Sequence, residues 1–164
     1  PITFYRDTTQ LADFEDYGMN GRTYRYMKEE PLFKFGFGLS YTTFKIGHAT
    51  VPKQEIAQGE PLQFTVPVSN TGDRSGTEIL QVYLRKVEDT DGSVKTLKQF
   101  KRVELKPGEL QQVSIEIDSE SFQFYSEDKL EMAAEPGAYT IFYGNSSDEA
   151  DLKTVTINLK QSQL

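Results

Sequence analysis

From Tyr41 onward, apolar and polar residues alternate in short runs separated by turn signals, the pattern of strands rather than helices. In Glu60–Ser69, Leu62, Phe64, Val66 and Val68 fall on one face and Gln63, Thr65 and Ser69 on the other. In Glu78–Lys86 the inward set is Leu80, Val82 and Leu84, which leaves Ile79, Gln81 and Tyr83 outward. Val113, Ile115 and Ile117 repeat the pattern in Gln111–Ile117, as do Val155, Ile157 and Leu159 in Lys153–Leu159. Tyr41–Ala49 supplies a first strand, and the run from Tyr139 through Ile141 to Tyr143 another. Leu97–Leu105 places apolar residues at Leu97, Phe100, Val103 and Leu105, a broken period that predicts a bend or bulge. Pro67 cannot donate to a ladder, so its nitrogen should face away from a neighbour or into an irregularity.

The connections fit the strands. Asn70–Gly76 and Lys106–Glu109 read as turns and Glu88–Ser93 as an exposed loop. Asp118–Tyr125 reads as a single helical turn that Asp118 or Ser119 can cap. Glu135-Pro-Gly-Ala-Tyr139 places a tyrosine just inside a strand, where its hydroxyl can bond back to the preceding loop as a tyrosine corner. Seven strands without a long helix predict an all-β, immunoglobulin-like sandwich with an irregular N-terminal extension.

That extension breaks the pattern. Eight of the twenty Phe and Tyr residues lie between Tyr17 and Phe44, with neither a sustained helical period nor a long alternation. Gly36 and Gly38 interrupt the rings, each allowing a positive φ or a close approach. So many rings on irregular chain need a surface to lie against. The first twenty residues hold one short β-like run, Ile2–Tyr5, and cannot build a core, so residues 1–40 are expected to pack on the β domain or on a missing partner.

Composition narrows the functions. The 164 residues suffice for a core without disulfides, and the lack of Cys removes thiol nucleophiles and Cys-ligated metals. A net charge of −7 with scattered Lys and Arg disfavours nucleic acid. No apolar run approaches the ~18 residues of a membrane span. A chain beginning Pro1-Ile2-Thr3 without Met reads as an interior piece, so the lack of a visible signal peptide is uninformative.

Candidate chemistry is sparse. Asp13, Glu15 and Asp16 form a carboxylate cluster, but beside a Gly-Met-Asn-Gly turn they are expected to stay solvated or to pair with Arg22 or Arg25. His48 is the only histidine and cannot build a usual metal centre without Cys or a second His. Asp89-Thr-Asp-Gly92 begins like a calcium loop, yet Phe100 stands where the last acidic ligand belongs. Asn145-Ser-Ser147 is a glycosylation acceptor by pattern. Tyr24, Tyr26, Phe33, Phe35, Phe37 and Tyr41 are read as one half of an interdomain interface, with sugar stacking the lesser alternative for Tyr24, Tyr26, Phe35 and Phe37. No catalytic, cofactor-binding or metal residues are expected.

Gly21-Arg-Thr-Tyr-Arg-Tyr26 and Pro31-Leu-Phe-Lys-Phe-Gly-Phe-Gly-Leu-Ser-Tyr-Thr-Thr-Phe44 resemble the C-terminal end of a family 3 glycoside hydrolase. Ser69–Gly72, Gln81–Tyr83, Leu97–Leu105, Lys106–Glu109 and Glu135–Gly144 resemble that family's fibronectin III-like domain. The lead-in, Ile2–Tyr5 with Asp13–Tyr17 and Gly21–Tyr26, is more similar to the β-xylosidase than to the β-glucosidase branch. The resemblance implies that Pro1–Gly21 ends an α/β domain, Arg22–Ser40 is a connector and Tyr41–Leu164 is the fibronectin III-like domain. Residues 1–40 and 41–164 are thus the expected division. It further implies a parent that hydrolyses β-linked, plant-type oligosaccharides from one end with retention, using two carboxyls about 5–5.5 Å apart. Those carboxyls lie in the family's barrel and α/β domains and neither motif occurs here, so this chain is expected to be catalytically silent. The partners implied are those two domains, in a periplasmic or secreted enzyme; no nucleic acid, membrane or cofactor is implied. The competing reading is a stand-alone β-sandwich module that binds carbohydrate or protein.

Overall fold

A computed structural model describes residues 2–90, 92–126 and 130–161. Its strands are β1 (Phe44–Ile46), β2 (Glu55–Ala57), β3 (Leu62–Asn70), β4 (Gly76–Lys86) and β5 (Thr96–Leu105). They continue as β6 (Leu110–Ile117), β7 (Gln123–Ser126), β8 (Glu131–Ala134), β9 (Gly137–Gly144) and β10 (Lys153–Lys160). One sheet has the order β1-β3-β6 and the other β2-β10-β9-β4-β5, with β7 and β8 forming a separate hairpin. The alternating sets meet between the sheets. Leu62, Phe64, Val66, Val68, Val113, Ile115 and Ile117 pack from the smaller sheet against Leu80, Val82, Leu84, Ile141, Ile157 and Leu159 of the larger, all buried in one cluster. Each such side chain contributes about 1.5–3 kcal/mol of gross burial, which makes a disulfide unnecessary.

All seven expected strand positions carry strands, and β2, β7 and β8 add three. β2 escapes a reading of periodicity because Ile56 is its only fully buried residue; β10 holds it in parallel register, Glu55 opposite Asn158. The first strand is shorter than expected. Only Phe44–Ile46 pairs with β3, and the ladder then lapses until Thr50 meets Thr65. Two residues cause the lapse. A Cβ on Gly47 would lie 2.6 Å from Pro67 Cγ, so the chain passes against the proline ring. Gly47 N donates to Pro67 O at 2.8 Å and Thr65 exchanges bonds with Thr50, which turns the proline nitrogen toward the gap between those two partners. Tyr143 Oη accepts from Ala49 N at 2.8 Å and ties the irregular segment back to the core.

The broken period of β5 is a bulge: Val82 pairs with Gln99 and Tyr83 with Leu97, which leaves Lys98 as the extra residue. Of the helical turn expected over Asp118–Tyr125 only Ser119–Phe122 is helical, with Asp118 at the cap position but no side-chain cap bond, and Gln123–Tyr125 belong to β7. The tyrosine corner is present, Tyr139 Oη donating to Glu135 O at 2.7 Å.

Two buried phenols make the fold sensitive to alkali. Burial, aided by the Glu135 carboxylate, pushes Tyr139 up to about 12, and burial pushes Tyr83 higher still. Both lie above the ordinary value of 10.0, so their stabilising contribution is whole below pH 10 and is lost as pH rises toward 12. Urea midpoints should therefore fall between about pH 9 and pH 11.5, and Tyr139→Phe should fall less steeply than the parent sequence. Parallel curves for the two proteins would remove Tyr139 from the account.

Candidate functional site

The N-terminal aromatic stretch has two faces with opposite fates. The inner face is bonded to the larger sheet. Gly21 takes a φ of 70° and turns the chain into α1, the single turn Thr23–Tyr26. Tyr24 stacks on Phe35 at 4.2 Å between centroids and meets Tyr83 edge-on at 5.9 Å. Its hydroxyl accepts from Leu97 N at 3.1 Å, so the connector caps an amide beside the Lys98 bulge. Arg25 O accepts from Val94 N at 2.6 Å and Phe35 O from Ser147 N at 2.8 Å. Gly36, with a φ of 83°, lies so close to Gln81 that a Cβ there would sit 2.4 Å from Oε1. Gln81 in turn accepts from Tyr83 Oη at 2.7 Å and donates to Asn145 O.

These contacts change the expected picture of β4. Tyr83 and Gln81 do point away from the sandwich core, as the alternation requires, yet they are 0% and 4% exposed. The connector covers them. Tyr83 and the amide of Leu97 are partners that the sequence reading missed; the available signal was a ring at an outward position of a strand with neighbours on both sides.

The outer face is bare. Phe33 stacks on Phe37 at 4.9 Å and meets Phe4 edge-on at 6.0 Å. Phe4 N donates to Phe33 O at 3.0 Å and Leu32 N to Phe4 O at 2.8 Å, which fixes this short row. Phe14, Tyr17, Leu39 and Tyr41 are each at least 87% exposed. Of the seventeen large apolar residues that stand exposed among those described, eleven fall in the first 41 positions, a quarter of the chain. Exposure on that scale, gathered in one segment, exceeds the single apolar residues scattered over ordinary surfaces. The six rings named from sequence therefore divide: Tyr24 and Phe35 face inward, Tyr26 is half-buried, and Phe33, Phe37 and Tyr41 face out.

The remaining candidates form no reaction centre. Asp13 and Asp16 accept from the backbone of Glu15 and Gly18, and Arg22 reaches the carbonyls of Asp13 and Asp16 instead of their carboxylates. His48 is exposed. Asp89 accepts from Gly92 N at 2.7 Å, while Asp91 of that loop lies outside the described residues. Among the described residues no three His, Cys, Asp or Glu side chains gather as a metal site. Asn145 is exposed, but Ser147 of its acceptor motif is 4% exposed and lies beneath the connector. Burial raises the Glu78 carboxyl above its ordinary range, opposed by bonds from Ile79 N and Asn145 Nδ2.

Residues 78–147, which run from β4 through β9, match the family model of the fibronectin type III-like domain. Over 158 residues the chain is 43% identical to a xylan 1,4-beta-xylosidase of Xylanibacter ruminicola, covering 96% of this chain and 18% of that protein. The chain belongs to the C-terminal, fibronectin III-like region of family 3 glycoside hydrolases. A beta-xylosidase of Formosa agariphila is also 43% identical, with coverage of 97% and 23%. The crystal structure of a beta-glucosidase from Listeria innocua superposes with a TM-score of 0.75 at 34% identity, over 92% of this chain and 20% of that one. This fibronectin III-like region thus spans about a fifth of the length of such relatives. The similarity takes in the aromatic joint as well as the sandwich.

Proposed function

We propose that the chain is an accessory, non-catalytic domain of an exo-acting, retaining family 3 β-xylosidase or β-glucosidase, and that it stabilises the catalytic domains through its outer aromatic face. The bare flank carries this reading. It supplies rings and aliphatic side chains that none of the described residues covers, on a region whose relatives are some five times longer. The occupant is the preceding α/β domain, of which residues 1–21 are the end. Residues 22–40 are the connector and 41–164 the sandwich. The rings of the six that face the partner are Phe33, Phe37 and Tyr41; Tyr24 and Phe35 anchor the connector from behind. The parent's substrate is a β-linked plant-type oligosaccharide, which this chain does not itself cleave.

Covering about 600 Å² of apolar surface would contribute about 15 kcal/mol gross, before the cost of ordering the partners. The double variant Leu39→Ser/Tyr41→Ser should leave the isolated chain within about 0.5 kcal/mol of its stability, because these residues are 91% and 93% exposed there. In the full-length enzyme the same pair should lower the melting temperature by several degrees. An enzyme that melts where it did before would end the docking reading. A chromogenic β-xyloside should show no turnover with this chain alone.

A further inference from the structure

Between the connector and the loops that precede β5 and follow β9 lies a cavity of about 390 Å³, within the range of small-molecule sites. Lys95, from the first of those loops, is 4% exposed. Its ammonium has three N–H donors, and it meets Glu149 Oε1 at 3.1 Å and the Phe142 ring at 5.8 Å to the centroid. One oxygen and one ring face leave donor capacity on a buried cation. Thr3 Oγ1, also on the wall, is buried without a hydrogen-bond partner among the described residues. Tyr24 and Phe35 add ring surface.

The charges on the wall nearly cancel. Three lysines and four carboxylates line it, and Lys34 pairs with Glu30 at 2.8 Å as Lys95 does with Glu149. A free anion would meet four carboxylates on the wall and a free cation three ammoniums. A neutral ring rich in hydroxyls fits better. It can donate to the carboxylates, accept from Lys95 and Thr3, and lay its C–H face on an aromatic ring. We propose that the cavity bounded by Thr3, Tyr24, Phe35, Lys95 and Glu149 binds a neutral saccharide of one or two pyranose units. The proposal stands on the cavity's own chemistry and is independent of docking through the outer rings.

The test is a titration of the ¹⁵N-labelled 164-residue chain with xylobiose and with cellobiose, followed by amide chemical shifts. At least one sugar should give saturable shifts at Val94, Lys95 and Ser147–Glu149, with a Kd in the range of about 1–10 mM. Glu149→Gln should weaken it about threefold and Lys95→Met about tenfold, because each loses a charge-assisted bond. Glu149→Gln keeps a carbonyl oxygen as acceptor for the buried Lys95 ammonium on a side chain that is 68% exposed, so it carries the test even if Lys95→Met does not fold. No saturable shift up to about 50 mM of either sugar overturns the proposal, the cavity then holding only water. Saturation at other amides, or unchanged affinity in Glu149→Gln, overturns it as well.

Discussion

Tyr83→Ala should cost the chain about 3–5 kcal/mol, the usual range for emptying a fully buried aromatic site. Tyr83 is 0% exposed although it lies on the outer side of β4, so its packing comes from Tyr24 above it and from its own sheet around it. Removing the ring takes away the seat of the connector as well as a side chain. Tyr83→Phe keeps the ring and loses only the bond to Gln81, so it should cost about 1 kcal/mol. Urea unfolding measures both. Hydrogen exchange then tells a detached connector from a merely weaker protein, through two amides that donate to it, Val94 and Ser147. In Tyr83→Ala these should lose more protection than amides of β3 and β6. If they stay as protected as the strand interiors, Tyr83 is not what holds the connector.

Gly36→Val and Gly38→Val should differ by about 2 kcal/mol or more, although both sit in the same Phe-Gly-Phe-Gly repeat. At Gly36 a side chain meets two obstacles. Its φ of 83° is left-handed, which β-branched residues rarely adopt, and its Cβ would stand 2.4 Å from Gln81 Oε1. Gln81 is buried and bonded to Tyr83 and to Asn145 O, so moving it breaks a satisfied network. At Gly38 the backbone is not left-handed and nothing lies within 4 Å of an added Cβ, so valine there should change stability by less than about 0.5 kcal/mol. Thermal unfolding of the two variants side by side decides the matter. Equal losses would mean that Gly36 is not pressed against the sheet.

The contrast between these glycines shows where reading a sequence ends. Both could be assigned a role, a positive φ or a close approach, and only one has it. Gly36 has a positive φ and also lies against Gln81, forty-five positions later; Gly38 has neither. The bulge in β5 was legible because it breaks a local period, and the bond that caps its Leu97 amide was not, because Tyr24 Oη arrives from seventy-three residues away. The β7–β8 hairpin was invisible for a related reason: Phe124 stacks on Tyr139 across the fold, at 6.2 Å, and leaves no alternation in so short a strand.

What the residues determined alone is the sandwich. Leu62 to Val68, Leu80 to Leu84 and Val113 to Ile117 alternate because a strand's side chains alternate, and a two-residue period survives any arrangement of neighbours. Tyr139 likewise announced its corner, since its partner Glu135 is four residues away. The division of the aromatic joint was decided only in three dimensions. Tyr24 and Phe35 differ from Phe37 and Tyr41 by which side of the chain meets the sheet, a choice fixed by long-range contacts that leave no mark on local hydrophobicity.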